Sequence, residues 1–197
     1  FEYEATENQE HKFSFFSSPI TNTTPSKTFN LSDAHEYIIS HKASNATELF
    51  RSMKDKEYAK EFKIKNFDYV TFSGTFTNRN DKNLTSYSNL ICFDFDKLEN
   101  IEEAKKLLCN DPYFDTLLLF MSPSGNGLKW VIHNPLHQSA HQDFFNAVAN
   151  YLSTTYSLKV DMSGKDISRA CFLPHDPNCV YNLTRDNKLE FDYQKWL

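Results

Sequence analysis

The stretch Ile91-Cys92-Phe93-Asp94-Phe95-Asp96 decides how the centre of this chain folds. Large apolar side chains alternate with smaller or acidic ones, which is the two-residue period of a β-strand. The alternation places both carboxylates on one face, at the end of the strand. Two neighbouring carboxylates repel each other and are costly to desolvate unless a positive group balances them. A divalent metal ion held by oxygen ligands would supply that charge, so the stretch predicts a buried strand ending in a metal site.

Composition places the chain among ordinary globular proteins. Its 197 residues are 40% hydrophobic and 15% aromatic, which is enough for one α/β domain with a substantial core. The net charge of −5 is not typical of a duplex-DNA binder, although it leaves room for a local basic groove. The four cysteines are widely spaced, which predicts reduced thiols in a cytoplasmic protein. We expect no signal peptide and no membrane partner. Because the chain begins at Phe1, we expect a domain taken from a longer protein.

A second candidate element is the turn Ser122-Pro123-Ser124-Gly125-Asn126-Gly127, which joins two predicted strands. Gly125 and Gly127 let the backbone approach a ligand closely, and exposed N–H groups with the hydroxyls of Ser122 and Ser124 can cradle a phosphate. Lys129 follows on an apolar strand and would add a point charge for a triphosphate. Alternation puts it on the same face as Val131 and His133. A plain hairpin turn is the alternative, because Asn-Gly is a strong turn signal alone.

A third element runs from Val160 to Arg169, where a short predicted strand, 158–160, delivers Asp161. Asp161 is the natural third metal ligand, and Arg169 is the natural partner of a phosphate or an acid. A surface turn with an Asp–Arg ion pair is the alternative.

The remaining chain predicts helices and strands that support this centre. One helix is expected from an N-cap at Ser32 to Lys42, and a second is expected to open with a capping box at Asn45 and end between 58 and 62. The Lys/Glu run Lys54–Lys65 is either a solvated helical face or a template-contacting surface. Predicted later elements are a helix capped by Asn100, a helix over 141–156 with Phe144, Phe145 and Tyr151 in the core, and strands at 69–74, 169–173 and 189–193. His137 and His141 are predicted to be surface histidines.

The ordered set of motifs resembles the archaeo-eukaryotic primase (prim-pol) superfamily, and most of all its VirE N-terminal branch from mobile elements and phages. The match rests on Asp94-Phe95-Asp96, on the stretch 124–129, on Asp161 and on the tail 166–177 with Asn182 after it, and it covers roughly 69–182. The resemblance implies an α/β (α+β) fold with an RRM-like core whose mixed or antiparallel sheet is flanked by helices. The core would span 67–197, with a small N-terminal αβ lobe over 1–66.

The resemblance also implies a function, which is metal-dependent transfer of nucleotides from triphosphates to a nucleic-acid 3′ end on a template. Mg²⁺ or Mn²⁺ would be held by Asp94, Asp96 and Asp161, which with Lys129 would form the catalytic set. The nucleotide would be bound by Ser122, Ser124, Gly125, Gly127, Lys129 and Arg169. Expected partners are nucleoside triphosphates, single-stranded or primed nucleic acid, and a helicase domain downstream in the full-length protein.

One position departs from the superfamily pattern, because its members usually have histidine where Lys129 stands. A lysine can pair with a triphosphate but cannot serve as an acid or base near neutral pH. His133, about 13 Å along the same strand, is a poor substitute. Two alternatives to a polymerase therefore stay open. One is a non-catalytic relative that binds nucleic acid or a replication partner, and the other is a glycosyltransferase that uses the same DxD motif.

Overall fold

The computed structural model describes residues 11–197, which form a mixed α+β fold with antiparallel sheets, as predicted. The strands are β1 (Phe13–Phe16), β2 (Lys27–Phe29), β3 (Tyr69–Thr71), β4 (Gly74–Phe76), β5 (Leu84–Tyr87), β6 (Leu90–Phe95), β7 (Thr116–Met121), β8 (Leu128–His133), β9 (Cys171–Phe172) and β10 (Val180–Leu183). The helices are α1 (Leu31–Ile39), α2 (Ser44–Ser52), α3 (Lys56–Asn66), α4 (Ile101–Cys109) and α5 (His141–Tyr156). No helix in this part of the chain is long and apolar enough to cross a membrane.

The central sheet has the strand order β10-β7-β8-β6 and is antiparallel throughout. With α4 and α5 its elements follow one another along the chain as β-α-β-β-α-β, and the last strand pairs with β7. Strand alternation divides its side chains between two cores. Phe93, Trp130 and Ile132 pack against α4 and α5, whereas Leu90, Leu118 and Val131 face the second sheet and α1. Both faces of the central sheet are therefore buried, and Asp94 points toward the second sheet.

The second sheet, of order β2-β1-β3-β9, draws its strands from distant parts of the chain. β1 pairs with β3, so strands from both sides of residue 66 share one sheet. β3 in turn pairs with β9, which follows the candidate third motif. This pairing brings the loop before β9 to the end of β6. A separate hairpin of β4 and β5 follows β3, where the sequence predicted one strand over 69–74.

Two helix starts differ from the prediction because a neighbouring residue makes the better cap. Asn30, not Ser32, caps α1: its side chain accepts from the N–H of Asp33, and the Asp33 carboxylate accepts from the N–H of Asn30. The expected capping box at Asn45 is also wrong. Asn45 lies inside α2, which has no side-chain cap, and the predicted long second helix is divided in two. Asp55 caps the second part, α3, by accepting from the N–H of Tyr58.

Two predicted strands are not formed. Residues 158–160 form no strand ladder, although they lie beside the free edge of β6, where the N–H of Asp161 donates to the carbonyl of Asp94 over 2.8 Å. Residues 189–193 also form no strand. They are held by the N–H of Leu189, which donates to Pro112, and by the ring of Phe191, which packs against Phe114. Aromatic packing therefore holds this segment in place of the expected strand pairing. The two-residue period of a strand pattern does not distinguish the two arrangements.

The prediction that His141 is a surface residue is wrong, because its side chain is buried and only 2% exposed. Its Nδ1 shares a hydrogen bond of 2.7 Å with the hydroxyl of Tyr87, to which the buried amide of Asn134 also donates. Burial lowers the pKa of His141 to about 4, against an opposing effect of Asp81. His141 thus joins the β4–β5 hairpin to α5 as a neutral imidazole.

The buried imidazole predicts a specific loss of stability in acid. An unfolded histidine has a pKa of about 6.5, so between about pH 6.5 and about pH 4 the unfolded chain binds more protons than the folded one. The free energy of unfolding should fall across this window by about 3 kcal/mol from this group alone. Urea unfolding of the parent and of His141→Gln checks this. We expect the variant to be less stable than the parent near neutral pH. The difference between their free energies of unfolding should close as the pH approaches 4. A gap that stays constant with pH would contradict the assignment.

Candidate active site

Asp94 and Lys129 form the centre of the candidate site. They lie opposite each other in the register of β6 and β8, and the Lys129 ammonium is 3.1 Å from a carboxylate oxygen of Asp94. Lys129 is buried, at 8% exposure, whereas the Asp94 carboxylate keeps partial contact with solvent. Burial alone would lower the pKa of Lys129, but the Asp94 carboxylate outweighs it and raises that pKa above its ordinary value. The lysine therefore stays protonated and balances one of the two strand-end charges.

Asp161, the predicted third carboxylate residue, is held to Asp94 through the backbone. The N–H of Asp161 donates to the carbonyl of Asp94, so the two residues are neighbours at the end of β6. The Asp161 carboxylate accepts from the N–H of Ser163 at 3.0 Å and from its hydroxyl at 2.8 Å. Burial alone would raise the pKa of Asp161, but the Ser163 hydrogen bonds and the charges of Arg169 and Lys129 lower it overall. Arg169 donates to the Ser163 hydroxyl over 2.9 Å, so it is held next to Asp161.

The three carboxylates suit a hard divalent cation in their chemistry, because all three supply oxygen ligands from adjacent chain segments. Asp96, exposed immediately after β6, completes the set. Within residues 11–197, however, no group of three or more acidic, histidine or cysteine side chains is already arranged to hold a metal. One oxygen of Asp94 is directed to Lys129, and one oxygen of Asp161 is directed to Ser163. Metal binding would thus use the second oxygen of each carboxylate, or these side chains would exchange partners.

The turn between β7 and β8 is a closed structure packed against the end of β6. The N–H of Ser122 donates to the carbonyl of Gly127, and the N–H of Gly125 donates back to Ser122. Gly125 has φ +80°, a conformation that favours glycine. A Cβ on Gly127 would lie 2.4 Å from the carbonyl oxygen of Phe95, so only glycine fits there. Both glycines are thus required by the turn itself, Gly125 for its backbone conformation and Gly127 for its close approach to β6.

The hydroxyls of the turn lie together. The oxygens of Ser122 and Ser124 are 3.0 Å apart, and Ser124 donates to the side chain of Asn126. Ser122 is buried, whereas Ser124 is exposed. The carbonyl of Asn126 accepts from the N–H of Leu98, which ties the turn to the segment that follows Asp96. The structure thus places the serine turn and the strand-end carboxylates next to each other.

Sequence reasoning missed Arg51, which holds the turn from outside. Its guanidinium donates to the carbonyl of Pro123 over 3.0 Å and to that of Ser122 over 3.1 Å. A Cβ on Gly125 would lie 3.0 Å from the Arg51 Nε, so this glycine also makes room for the arginine. An arginine 71 and 72 residues before its two partners carries no local signal, and only the packing of α2 reveals its role.

Lys63 is a second residue that sequence reasoning did not single out. Its ammonium lies 5.9 Å from the ring centre of Phe50 and 5.8 Å from that of Phe172. Burial and the charge of Lys129 lower the pKa of Lys63, while Asp96 and Asp94 oppose that shift. Phe50 precedes Arg51, and Phe172 belongs to β9, so Lys63 sits between the serine turn and the third motif. The Lys/Glu run that contains it was the only sequence signal.

Two thiols border the carboxylates. Cys92, on the same face of β6 as Asp94, donates to the Asp94 carboxylate over 4.0 Å, and the neighbouring Cys171 of β9 together with burial raises the pKa of the Cys92 thiol. Both cysteines line a cavity of about 20 Å³ together with Asp94 and Arg169. All four cysteines of the chain are free thiols, as predicted.

A much larger cavity lies elsewhere. Its volume is about 880 Å³, and it is bordered by Phe114, Phe144 and Phe191 and by His133. His133 is at the far end of β8 from Lys129, about 13 Å along the strand. None of the predicted site residues lines this cavity, so we keep the candidate site at the carboxylates, where the acidic and basic side chains converge.

Comparison with known proteins gives a family but no function. No curated protein and no solved structure shows significant similarity to the chain. The family described as BT4734-like, N-terminal domain matches residues 62–181, a range that includes all three motifs, Lys63 and Arg169. The match covers more than half of the 197 residues. The chain therefore belongs to the family of BT4734-like N-terminal domains.

Proposed function

We propose that this domain is a primase-polymerase-like nucleotidyltransferase, which transfers nucleotides from triphosphates to a nucleic-acid 3′ end on a template. One observation carries the proposal. Three motifs that are far apart in the sequence meet at one end of β6, where Asp94 and Asp161 are joined through the backbone and the serine turn packs beside Asp96. The same point gathers Lys129, Lys63 and Arg169. Alternating acidic and basic groups are what a metal–triphosphate complex requires.

Each residue has a role in this proposal. Asp94, Asp96 and Asp161 would hold Mg²⁺ or Mn²⁺, which would stabilise the negative charge that develops on the transferred phosphoryl group. Lys129 and Arg169 neutralise the triphosphate. The exposed hydroxyl of Ser124, with that of Ser122 beside it, would orient its phosphates on the turn that Gly125 and Gly127 shape. Arg51 keeps that turn in place and donates to its carbonyls, so it acts as a positioning residue.

A second function is favoured by the ion pair between Lys129 and Asp94. An ammonium 3.1 Å from the first carboxylate already balances the charge that a metal would otherwise balance. A domain that keeps this pair intact would bind nucleotides or nucleic acid without transferring anything. The two functions share the site and differ in whether Lys129 releases Asp94 to a metal.

Incorporation of labelled nucleotides on a single-stranded template, with Mg²⁺ or Mn²⁺, separates the two functions. Asp96→Asn is the best test variant because Asp96 is exposed, so its substitution should leave the fold intact. We expect incorporation by the parent and a loss of about 100-fold or more in the variant, more than the 10- to 100-fold typical of outer-shell changes at metal sites. The charge-matched control is Asp143→Asn, an exposed residue of α5, which should retain parental activity.

The outcomes distinguish a transferase from a binding module. Equal incorporation by the parent and by Asp96→Asn would contradict the assigned site. No incorporation with either metal, together with measurable binding of nucleotide or oligonucleotide, would favour the binding module.

A further inference from the structure

We propose that the face of α3 formed by Lys56, Lys60 and Lys63 is the track along which the phosphates of a single-stranded nucleic acid approach the carboxylate site. The inference rests on the proposed function, because it names the surface that binds the template of that same site. We call these three residues the lysine track.

The positions of the three lysines place them in one row. Residues three and four apart are neighbours on a helix surface, so Lys56, Lys60 and Lys63 follow one another within a narrow arc over about 10 Å of helix length. The acidic side chains of α3 lie about 100° away, where Glu61 pairs with Lys65. Within residues 11–197, no ion pair joins Lys56 or Lys60 to an acidic side chain. The row is therefore a strip of positive charge, although the whole chain carries −5.

The row is unfavourable for the free helix. Like charges at this spacing repel each other. Lys56 is also the first residue of α3, where the helix dipole disfavours a cation. Packing does not explain Lys56 and Lys60 either, because both side chains are exposed. An anionic partner would relieve both penalties, which gives the arrangement a physical reason that the isolated domain does not supply.

Lys63 connects the row to the site. Its side chain is held between the rings of Phe50 and Phe172, and its ammonium is close enough to Lys60 and Lys129 for their charges to act on it. The positive strip therefore runs from solvent at Lys56 through Lys63 to Lys129 beside Asp94. A single row of ammonium groups matches one phosphodiester backbone, whereas a duplex presents two. The geometry thus favours a single strand that leads its end toward the carboxylates.

The test measures binding of a fluorescently labelled oligothymidylate by anisotropy at several salt concentrations. The variant Lys56→Gln/Lys60→Gln removes the outer part of the lysine track and leaves the site residues unchanged. We expect the variant to bind about tenfold more weakly than the parent at about 50 mM salt. Its slope of log K against log salt should be smaller in magnitude by about 1.4, which is about 0.7 for each lost phosphate contact. Because these lysines are unfavourable for α3, the variant should unfold at the parental temperature or slightly above it.

The charge-matched control is Lys65→Gln/Lys106→Gln, which removes two exposed lysines outside the track. Lys65 lies on the opposite face of α3, about 180° from Lys56, and Lys106 belongs to α4. The control should bind with parental affinity and salt slope. Equal losses in both double variants would show a general charge effect and would overturn the proposal, as would tighter binding of a duplex of the same length or no binding by the parent.

Nucleotide incorporation separates this inference from the proposed function. If the parent fails to incorporate nucleotides but its oligonucleotide binding depends on Lys56 and Lys60, the lysine track stands and the transferase proposal fails. If the parent incorporates nucleotides and the Lys56→Gln/Lys60→Gln variant binds template as well as the control does, the transferase proposal stands and the track is wrong.

Discussion

Replacing Asp94 with asparagine should destabilise the fold by about 3 kcal/mol. The substitution keeps the size of the side chain but leaves the ammonium of Lys129 buried without its counter-ion, and removing one partner of a buried pair typically costs 3–5 kcal/mol. We take the lower end of that range because Asp94 itself is partly exposed. Urea unfolding of the parent and of Asp94→Asn near neutral pH measures the difference in the free energy of unfolding.

A second substitution at Lys129 identifies the cause of that loss. Asp94→Asn/Lys129→Met replaces the lost pair with an apolar side chain of similar length, so most of the lost stability should return. Asp96→Asn is the matched control and should change the free energy of unfolding by less than about 0.5 kcal/mol, because Asp96 is exposed. If the double variant were as unstable as Asp94→Asn, the buried charge would not be the cause.

The second large effect is expected at Gly127. An alanine Cβ there would lie 2.4 Å from the carbonyl oxygen of Phe95 and 3.1 Å from the hydroxyl of Ser122. The carbonyl of Phe95 belongs to the backbone of β6 and cannot move aside as a flexible side chain can. The turn must therefore move away from β6, which should lower the free energy of unfolding by about 2–3 kcal/mol. The same movement displaces the segment that carries Asp96. Gly127→Ala should therefore lose both stability and nucleotide binding.

Gly164→Ala is the control for Gly127→Ala. It is the same substitution in the loop of the third motif, where the new Cβ would meet only the Phe145 ring, at 3.7 Å, an ordinary contact. Its free energy of unfolding should stay within about 1 kcal/mol of the parent. Thermal and urea unfolding of both variants provide the comparison. A Gly127→Ala protein as stable as Gly164→Ala would show that the turn is looser than the structure indicates.

Strand alternation predicted the sheet geometry well because it is a local property of the backbone. The two-residue period of 91–96 and of 128–133 assigned each side chain to its correct face, and Lys129 does lie on the Asp94 side of the sheet. Helical spacing likewise placed Phe144, Phe145 and Tyr151 of α5 in the core, where each is buried. Helix boundaries were less predictable, since Asn30 and Ser32 are both good caps and only the packed chain selects between them.

Periodicity and side-chain type are local properties, and they were enough to predict the fold class and the face of the sheet on which each central side chain lies. They also identified the acidic, serine, glycine and basic residues that are available for chemistry. Tertiary structure alone decided how they meet. It paired Asp94 with Lys129 across two strands, and it brought Arg51 and Lys63 to a turn and a strand end far along the chain. It also buried His141. Such contacts join residues tens of positions apart, and no local pattern encodes which long-range partners the packing of helices and sheets will bring within bonding distance.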